Sequence, residues 1–377
     1  MRIAFLTDSF LPYVSGVSQS VYRFATGLSL NEHEVQVFAP RYQQILPKTY
    51  LFEVARYPAK TLKNYNGFGM TWPFDRSLDQ KLFEFKPQVI HVHSPFQMGL
   101  KALFFKKVLK VPMVFTLHTL FDEYLHFVPL IPQKLSWKIL KIYLSWFCQQ
   151  CDLIIAPTQE AAAKVKKDYN IRKPLKILPT GVFVLPRALN ASEPPFDEKH
   201  FNCLYVGRIS PEKNIDFLLE IFMELIKNHP QIRLYFIGGF SKNNNYLQKV
   251  LEKGYREKII FIGEIPYENL APFYQKADVL VSTSKTETQG LIFIEAGSEG
   301  LPVVALESQG AKNVIKNDVN GFLVSENKLE FSQAILRFKN DPELRQRVRI
   351  SAKEFIKKNF DQLKLSQKLF ELYQSLA

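Results

Sequence analysis

The sequence predicts an α/β protein built from two doubly wound, mostly parallel sheets, one in each half of the chain. Three observations predict it. Short apolar runs of strand length alternate with segments of helical spacing through residues 1–178, and the same alternation restarts near residue 203. Between the halves, residues 179–195 are rich in proline and carry no periodicity, which reads as a linker. The length, 377 residues, is also more than one ordinary core needs.

Taken in order, residues 2–7 (RIAFLT) read as a buried parallel strand and 10–16 (FLPYVSG) as a Pro/Gly loop. Residues 17–28 (VSQSVYRFATGL) have helical spacing, and 34–39 (EVQVFA) form a second strand. Further strands are expected at 89–93 (VIHVH), 114–118 (VFTLH) and 153–156 (LIIA), with helices between them. In the second half strands are expected at 203–206 (CLYV), 234–237 (LYFI), 259–262 (IIFI), 279–282 (VLVS) and 303–305 (VVA). Two such halves leave a cleft at their strand C-terminal ends, where ligands of open α/β sheets bind.

Composition bounds the class. The chain is 46% hydrophobic and 14% aromatic, which excludes a disordered protein. MRIAFLTDSF passes directly into a strand pattern without a basic leader, and no apolar run reaches the eighteen residues of a membrane span. Three cysteines fit a reducing compartment. Cys148 and Cys151 form a C-x-x-C with no second pair to complete a zinc site, and read as packing thiols. The expected location is cytoplasmic.

Charge is lopsided. Residues 1–180 hold 23 Lys and Arg against 12 Asp and Glu, whereas residues 181–377 hold 26 against 24, so nearly all of the +13 lies in the first half. A one-sided basic surface suggests a polyanionic partner, either nucleic acid or an anionic membrane face.

The second half is organised around residues 283–304, TSKTETQGLIFIEAGSEGLPVV. A strand leads into a loop holding Glu287 and Gly290, and a helix starting near Leu291 then carries Glu295. The free amides and dipole of such a helix start attract phosphate, and the two carboxylates could hold two parts of one ligand. An ordinary crossover with two solvated acids is the alternative. Two other strand-end loops point the same way. Gly16 lies in YVSGVSQ just before a helix, where glycine permits close backbone approach to phosphate, although a plain turn explains it too. Gly207-Arg208-Ile-Ser-Pro-Glu-Lys213 follows a strand, with Arg208 and Lys213 placed to reach a diphosphate. His118 ends a strand, as either a ligand or a hydrogen-bonded structural residue.

Gly16, His118, GRISPEK at 207–213, YFIGG at 235–239, TETQGL at 286–291 and EAGSEGLPVV at 295–304 together resemble the retaining glycosyltransferases of family four. The resemblance spans nearly the whole chain. It implies the GT-B fold, with two Rossmann-like lobes facing a deep interdomain cleft. The implied N-terminal domain covers residues 1–183, the nucleotide-sugar domain 184–358, and a final helix over 359–377 crosses back to the first. It further implies that Arg208 and Lys213, beside Gly207, hold the donor diphosphate, and that Glu295 holds the ribose hydroxyls. Glu287 would hold sugar hydroxyls, and the amides after Gly290, from Leu291 on, the phosphate. Gly16 would abut the donor phosphate and His118 the sugar. Two positions depart from the family pattern: Gln289 stands where Phe is usual, and Phe183 follows Thr180-Gly-Val where Asp is usual.

A narrower likeness lies in HTLFDEYLHF at 118–127, with Gly16-Val-Ser and CDLIIAPT at 151–158. It is similar to bacterial diacylglycerol glucosyltransferases, and plant-type sulfolipid synthases share parts of it. The residues themselves point toward lipid as well. Two stretches, KALFFKKVLK at 101–110 and KLSWKILKIYLSWF at 134–147, are basic, aromatic-rich and helix-compatible, the composition of an interfacial helix. Lys106, Lys107 and Lys110 accompany Phe104, Phe105 and Leu109, while Lys138 and Lys141 accompany Trp137, Ile139 and Trp146. A core-facing helix with solvated lysines is the alternative for each alone.

Loss of a nucleoside diphosphate from a sugar places growing negative charge on the β-phosphate. Arg208, Lys213 and a helix N-terminus suit that charge. No D-x-D occurs, so no metal and no separate cofactor is expected. Retention, as the resemblance implies, would let the leaving phosphate oxygen take the acceptor's proton. The expected enzyme transfers a hexose, glucose from UDP-glucose, to a membrane lipid such as 1,2-diacylglycerol at the inner face of the cell membrane. A family-four enzyme acting on phosphatidylinositol, a lipopolysaccharide core or a soluble acceptor is the alternative. A nucleic-acid-binding protein is the remote one, prompted by a pI near 9.4 but lacking any recognition motif.

Overall fold

The computed structural model describes residues 1–42, 49–61, 69–71, 75–118, 133–183, 193–240 and 245–376. The chain forms two compact units, Met1–Gly181 with Gln362–Ala377, and Val182–Asp361.

In the first unit the strands are β1 (Arg2–Leu6), β2 (Glu34–Pro40), β3 (Glu53–Tyr57), β4 (Ala59–Thr61), β5 (Gly69–Thr71), β6 (Val89–Val92), β7 (Met113–Thr116), β8 (Leu153–Ala156) and β9 (Leu175–Ile177). Seven of them form a sheet in the order β3-β2-β1-β6-β7-β8-β9, and every pairing in it is parallel. β4 and β5 pair separately and antiparallel. The helices are α1 (Gly16–Leu30), α2 (Arg76–Phe85), α3 (Gln97–Leu109), α4 (Gln133–Gln150) and α5 (Gln159–Asp168).

The second unit contains β10 (Phe201–Val206), β11 (Ile232–Ile237), β12 (Ile259–Gly263), β13 (Val279–Ser282), β14 (Val303–Leu306) and β15 (Gly321–Val324). They form an all-parallel sheet ordered β12-β11-β10-β13-β14-β15. Its helices are α6 (Ile215–Asn228), α7 (Tyr246–Glu252), α8 (Ala271–Lys276), α9 (Leu291–Ser298), α10 (Gln309–Val314), α11 (Lys328–Asn340) and α12 (Pro342–Asn359). The last helix, α13 (Gln362–Gln374), belongs to the first unit.

Both sheets are covered on both faces, which explains why their strands read as continuous apolar runs rather than alternating ones. Along β1, Ala4 and Leu6 face one core of the first unit, while Ile3 and Phe5 face the other. Along β10, Cys203 and Tyr205 face one side, Leu204 and Val206 the other. Cys148 and Cys151 are buried free thiols of the first unit's core.

α13 seals one of those cores with Leu365, Leu369 and Tyr373. It packs so closely on α1 that a Cβ added to Gly27 would lie 2.1 Å from Ser366 Oγ. The chain leaves this unit after Gly181 and re-enters at Gln362, whose Oε1 accepts a hydrogen bond from Gly181 N at 2.9 Å. The buried Arg23 donates to Gly181 O at 2.8 Å, fixing the same point from α1.

The structure differs from the sequence expectations in places. β3, β9, β15 and the β4–β5 pair were not expected. The strand expected to end at His118 ends at Thr116, so His118 stands two residues beyond it. Residues 119–127, which carry the narrower likeness, and most of the expected linker, 184–192, lie outside the described residues.

Strand order decides where chemistry can sit. In each sheet the winding reverses beside the first strand, between β1 and β6 and between β10 and β13. At such a reversal the loops leave the carboxyl ends in opposite directions and open a crevice. All the candidate groups of the second unit follow β10 and β13.

Candidate active site

β10 ends at Val206, and the next two residues turn sharply. Gly207 adopts φ 145°, a region favouring glycine, and the buried Tyr205 hydroxyl donates to Arg208 O at 2.8 Å, tying the turn down. The neighbouring turn after β11 touches it. A Cβ on Gly238, whose φ is 141°, would lie 1.9 Å from Gly207 O, so only glycine lets the two turns lie side by side. Pro211–Lys213 then form one 3-10 turn, and Asn214 at φ 57° redirects the chain into α6. Arg208 is half exposed and lies 3.4 Å from Glu212, while the Lys213 side chain turns inward.

The inward lysine meets the loop after β13. Lys213 Nζ donates to Glu287 Oε1 at 2.6 Å, and both side chains are largely buried. Thr283 Oγ1 donates to Asn214 O at 2.9 Å, lacing the two loops together. Burial alone would push the Glu287 carboxyl up. The Lys213 charge and hydrogen bond, a bond from Ser284 and the Arg208 charge outweigh it, so Glu287 sits below the ordinary carboxylate value. The loop is held from behind as well, since Gly310 N donates to Glu287 O at 2.8 Å. A side chain at Gly310 would strike that oxygen and the Gln289 backbone.

Gly290 caps α9 at φ 75°, and Leu291 is its first helical residue. No side-chain hydrogen bond caps this end. Gln289, one of the two departures from the family pattern, is buried. Glu295 is the fifth residue of α9, buried to 5% exposure, and accepts from the Tyr274 hydroxyl at 3.0 Å. Tyr274 itself, on α8, is fully buried. The second unit thus gathers Arg208, Lys213, Glu287, Gly290, Leu291 and Glu295 from three elements. Among the described residues no cluster of His, Cys, Asp or Glu suits a metal ion.

In the first unit Gly16 opens α1. Ser15 caps that helix by accepting from Ser18 N at 3.1 Å, while Ser18 Oγ accepts from Ser15 N at 2.7 Å. A Cβ built on Gly16 meets nothing within 4 Å, so internal packing does not require glycine there. His118 is partly buried, and its Nε2 lies 2.9 Å from His93 Nδ1. Burial pushes its imidazole down to about 3, so the ring is neutral at physiological pH. His93 belongs to a network absent from the sequence reading. His91 is hydrogen-bonded through Nδ1 to the Tyr373 hydroxyl at 2.5 Å and through Nε2 to Thr116 Oγ1 at 2.7 Å. The signal was present in VIHVH, because alternate residues of a strand share a face. Tyr274 had no comparable signal.

The helices of the basic segments also declare themselves. On α4, Leu135, Ile139, Ile142 and Trp146 are exposed apolar residues beside exposed Lys138 and Lys141. On α3, Leu100, Phe104 and Val108 are exposed, with Lys107 and Lys110. The two helices adjoin: a Cβ on Gly99 would lie 3.0 Å from the Phe147 ring, and Phe96 stacks on Tyr143 at 6.2 Å. Lys106 is a correction to the expected basic face. It turns back to pair with Asp152 at 2.8 Å and with Gln150 O at 2.6 Å. No described helix is long and apolar enough to cross a membrane.

Comparison with known proteins agrees with this architecture. Glycosyltransferase Family 4 matches residues 14–184, and Glycosyl transferases group 1 matches residues 187–355. The chain is 29% identical to the alpha-monoglucosyldiacylglycerol synthase of Acholeplasma laidlawii, over 91% of this chain and 89% of that one. It is 27% identical to a GDP-mannose-dependent alpha-mannosyltransferase of Corynebacterium glutamicum, over 86% and 76%. The crystal structure of Anabaena HepE with UDP and glucose superposes with a TM-score of 0.76 at 19% identity, covering 100% of both chains. With two Rossmann-like units and family matches over most of its length, the chain belongs to the family-four glycosyltransferases of GT-B fold, and is a hexosyltransferase that draws its sugar from a nucleotide donor.

Proposed function

We propose that this enzyme moves glucose, with retention, from UDP-glucose to a membrane lipid such as 1,2-diacylglycerol while resting on the anionic inner face of the cell membrane. The observation that carries the lipid reading is the adjoining outer faces of α3 and α4. Ile142 is 62% exposed, Phe104 56% and Ile139 54%, with four exposed lysines among them. Apolar residues on such a face gain by entering the acyl boundary, and each lysine gains near anionic headgroups. The name of the Acholeplasma relative supports the same acceptor class.

On the donor side, Arg208, Lys213 and the amide end of α9 are proposed to take the diphosphate, and Glu295 the ribose hydroxyls. As the glycosidic bond breaks, charge grows on the β-phosphate, and preorganised cations stabilise it without reorganisation. Glu287 has two tasks in this reading. It holds the Lys213 ammonium in place before the donor arrives, and as an ionised carboxylate it accepts from sugar hydroxyls. His118 is proposed as a sugar ligand and Gly16 as a point of close backbone approach to phosphate. The leaving phosphate oxygen takes the acceptor's proton, so no side-chain base and no metal is needed.

The name of the Corynebacterium relative favours a second donor, GDP-mannose. One assay separates the readings: incubation with UDP- and GDP-sugars and with vesicles containing diacylglycerol or phosphatidylinositol, followed by mass analysis of products. Glucosyldiacylglycerol made only from UDP-glucose is the expected result. Product from GDP-mannose alone, or none without a soluble acceptor, would overturn it.

A further inference from the structure

His91 on β6 and His93, one residue beyond its end, lie on one face, and their ring centroids are 4.2 Å apart. His91 is clamped at both nitrogens by Tyr373 and Thr116. His93 rests between that ring and Phe5, whose centroid is 4.8 Å away. Its Nδ1 points at His118 Nε2. The His93 and His118 centroids are 5.2 Å apart and the planes differ by only 18°. With the nitrogens at 2.9 Å, the rings therefore lie edge to edge and nearly coplanar, the geometry of an in-line N–H···N bond.

One proton lies between these two nitrogens. Burial, reinforced by the neighbouring imidazoles, holds His93 well below its ordinary value, and His118 is likewise neutral. Each neutral ring carries one N–H, so the proton's position on one ring fixes the other. If His118 donated, His93 would carry its hydrogen on Nε2, which is buried and without a hydrogen-bond partner. An orphaned buried N–H is rarer in folded proteins than an acceptor lone pair left bare. If His93 donates instead, His118 must carry its hydrogen on Nδ1.

We propose that His93 is a positioning residue that holds His118 as the Nδ1–H tautomer, so that His118 meets a sugar hydroxyl oxygen as a hydrogen-bond donor. This rests on the reading of His118 as a sugar ligand. The clamped His91, with Tyr373 from α13, keeps the His93 ring from turning away.

The test uses the full-length enzyme labelled with 15N-histidine. Two-bond 1H–15N correlation spectra report each ring's tautomer, and the His118 signals are assigned by their loss in His118→Gln. The expected pattern is Nδ1–H at His118 and Nδ1–H at His93. An Nε2–H pattern at His118 overturns the proposal whatever the activity. In parallel, His93→Phe should lower kcat/KM for the sugar donor about tenfold and shift His118 toward Nε2–H. His93→Asn, whose amide can donate from nearly the same place, should recover activity to within about threefold. Wild-type kcat/KM in a folded His93→Phe, with His118→Gln impaired, sinks the positioning role alone. Wild-type activity in His118→Gln sinks the sugar-ligand reading instead, while the spectra still decide the tautomer.

Discussion

Lys213 Nζ and Glu287 Oε1 lie 2.6 Å apart although their residues are 74 positions apart in sequence. The pair joins the loops after β10 and β13, so the cation proposed for the diphosphate is already oriented in the free protein. Lys213→Ala should lower kcat/KM at least tenfold through loss of a charge-assisted bond to the donor. It should also cost about 1.5–3 kcal/mol of stability near neutral pH, because Glu287 is left ionised in a desolvated place. With the Glu287 carboxyl held down in the fold, the pair's contribution is complete above the ordinary carboxyl range. It fades as pH falls through the lowered value. Denaturant melts and donor kinetics at pH 7 check both effects. Unchanged turnover in a folded variant would rule out the donor assignment.

Tyr274→Phe should separate donor binding from folding. The hydroxyl donates to Glu295 inside the unit, and the ring itself is packed and retained. Nucleotide affinity should drop several-fold because Glu295 loses an orienting donor, whereas Glu295→Ala should drop it at least tenfold. Calorimetric titration with UDP on both variants compares them. Equal, wild-type affinity in the two would remove Glu295 from the ribose site.

The histidine network predicts an acid-labile first unit. His91, His93 and His118 are neutral in the fold, their values pushed down by burial, while in the unfolded chain they titrate near 6.5. Below that pH the unfolded state binds more protons, so stability falls as pH drops from about 6.5 toward 3. Each such histidine contributes about 1.4 kcal/mol per pH unit. His93→Asn should therefore flatten the slope of unfolding free energy between pH 6 and 5 by about that amount. A slope identical to wild type would show that His93 is charged in the folded protein.

Some of this was legible in the sequence, and the boundary has physical causes. RIAFL and VLVS announce themselves because both faces of a parallel strand are apolar. β9, LKI, sits at the sheet edge with two of its three residues exposed, so no apolar run marks it. Arg208, Lys213 and Glu287 could be nominated because strand-end loops in a doubly wound sheet are where ligands bind, and Glu295 because it lies on the helix that follows such a loop. The Lys213–Glu287 contact itself, and the Tyr274–Glu295 bond, depend on which strands become neighbours, which local pattern does not encode. Lys106 read as membrane-facing for the same reason, since its Asp152 partner is 46 positions away and folded back beside it.

That correction shapes the membrane test. Lys107, Lys110, Lys138 and Lys141 are the exposed set. Their joint replacement by glutamine should release the enzyme from anionic vesicles at low salt, at roughly 1 kcal/mol per lysine, with nucleotide affinity unchanged. Lys106→Gln alone should instead lower stability and leave vesicle binding intact. Co-sedimentation at low and raised salt, beside UDP titration, reads both. A wild-type protein that ignores anionic vesicles at low salt would rule out the lipid surface.

The return of α13 to the first unit has a consequence for biosynthesis. On the ribosome the second unit, Val182–Asp361, emerges whole before α13 does. The first unit must wait, with Leu28 and its neighbours uncovered and His91 without its tyrosine, until α13 closes over them. The earlier-synthesised unit is thus the later one to be finished. Until then the apolar surface that α13 covers stays open to water.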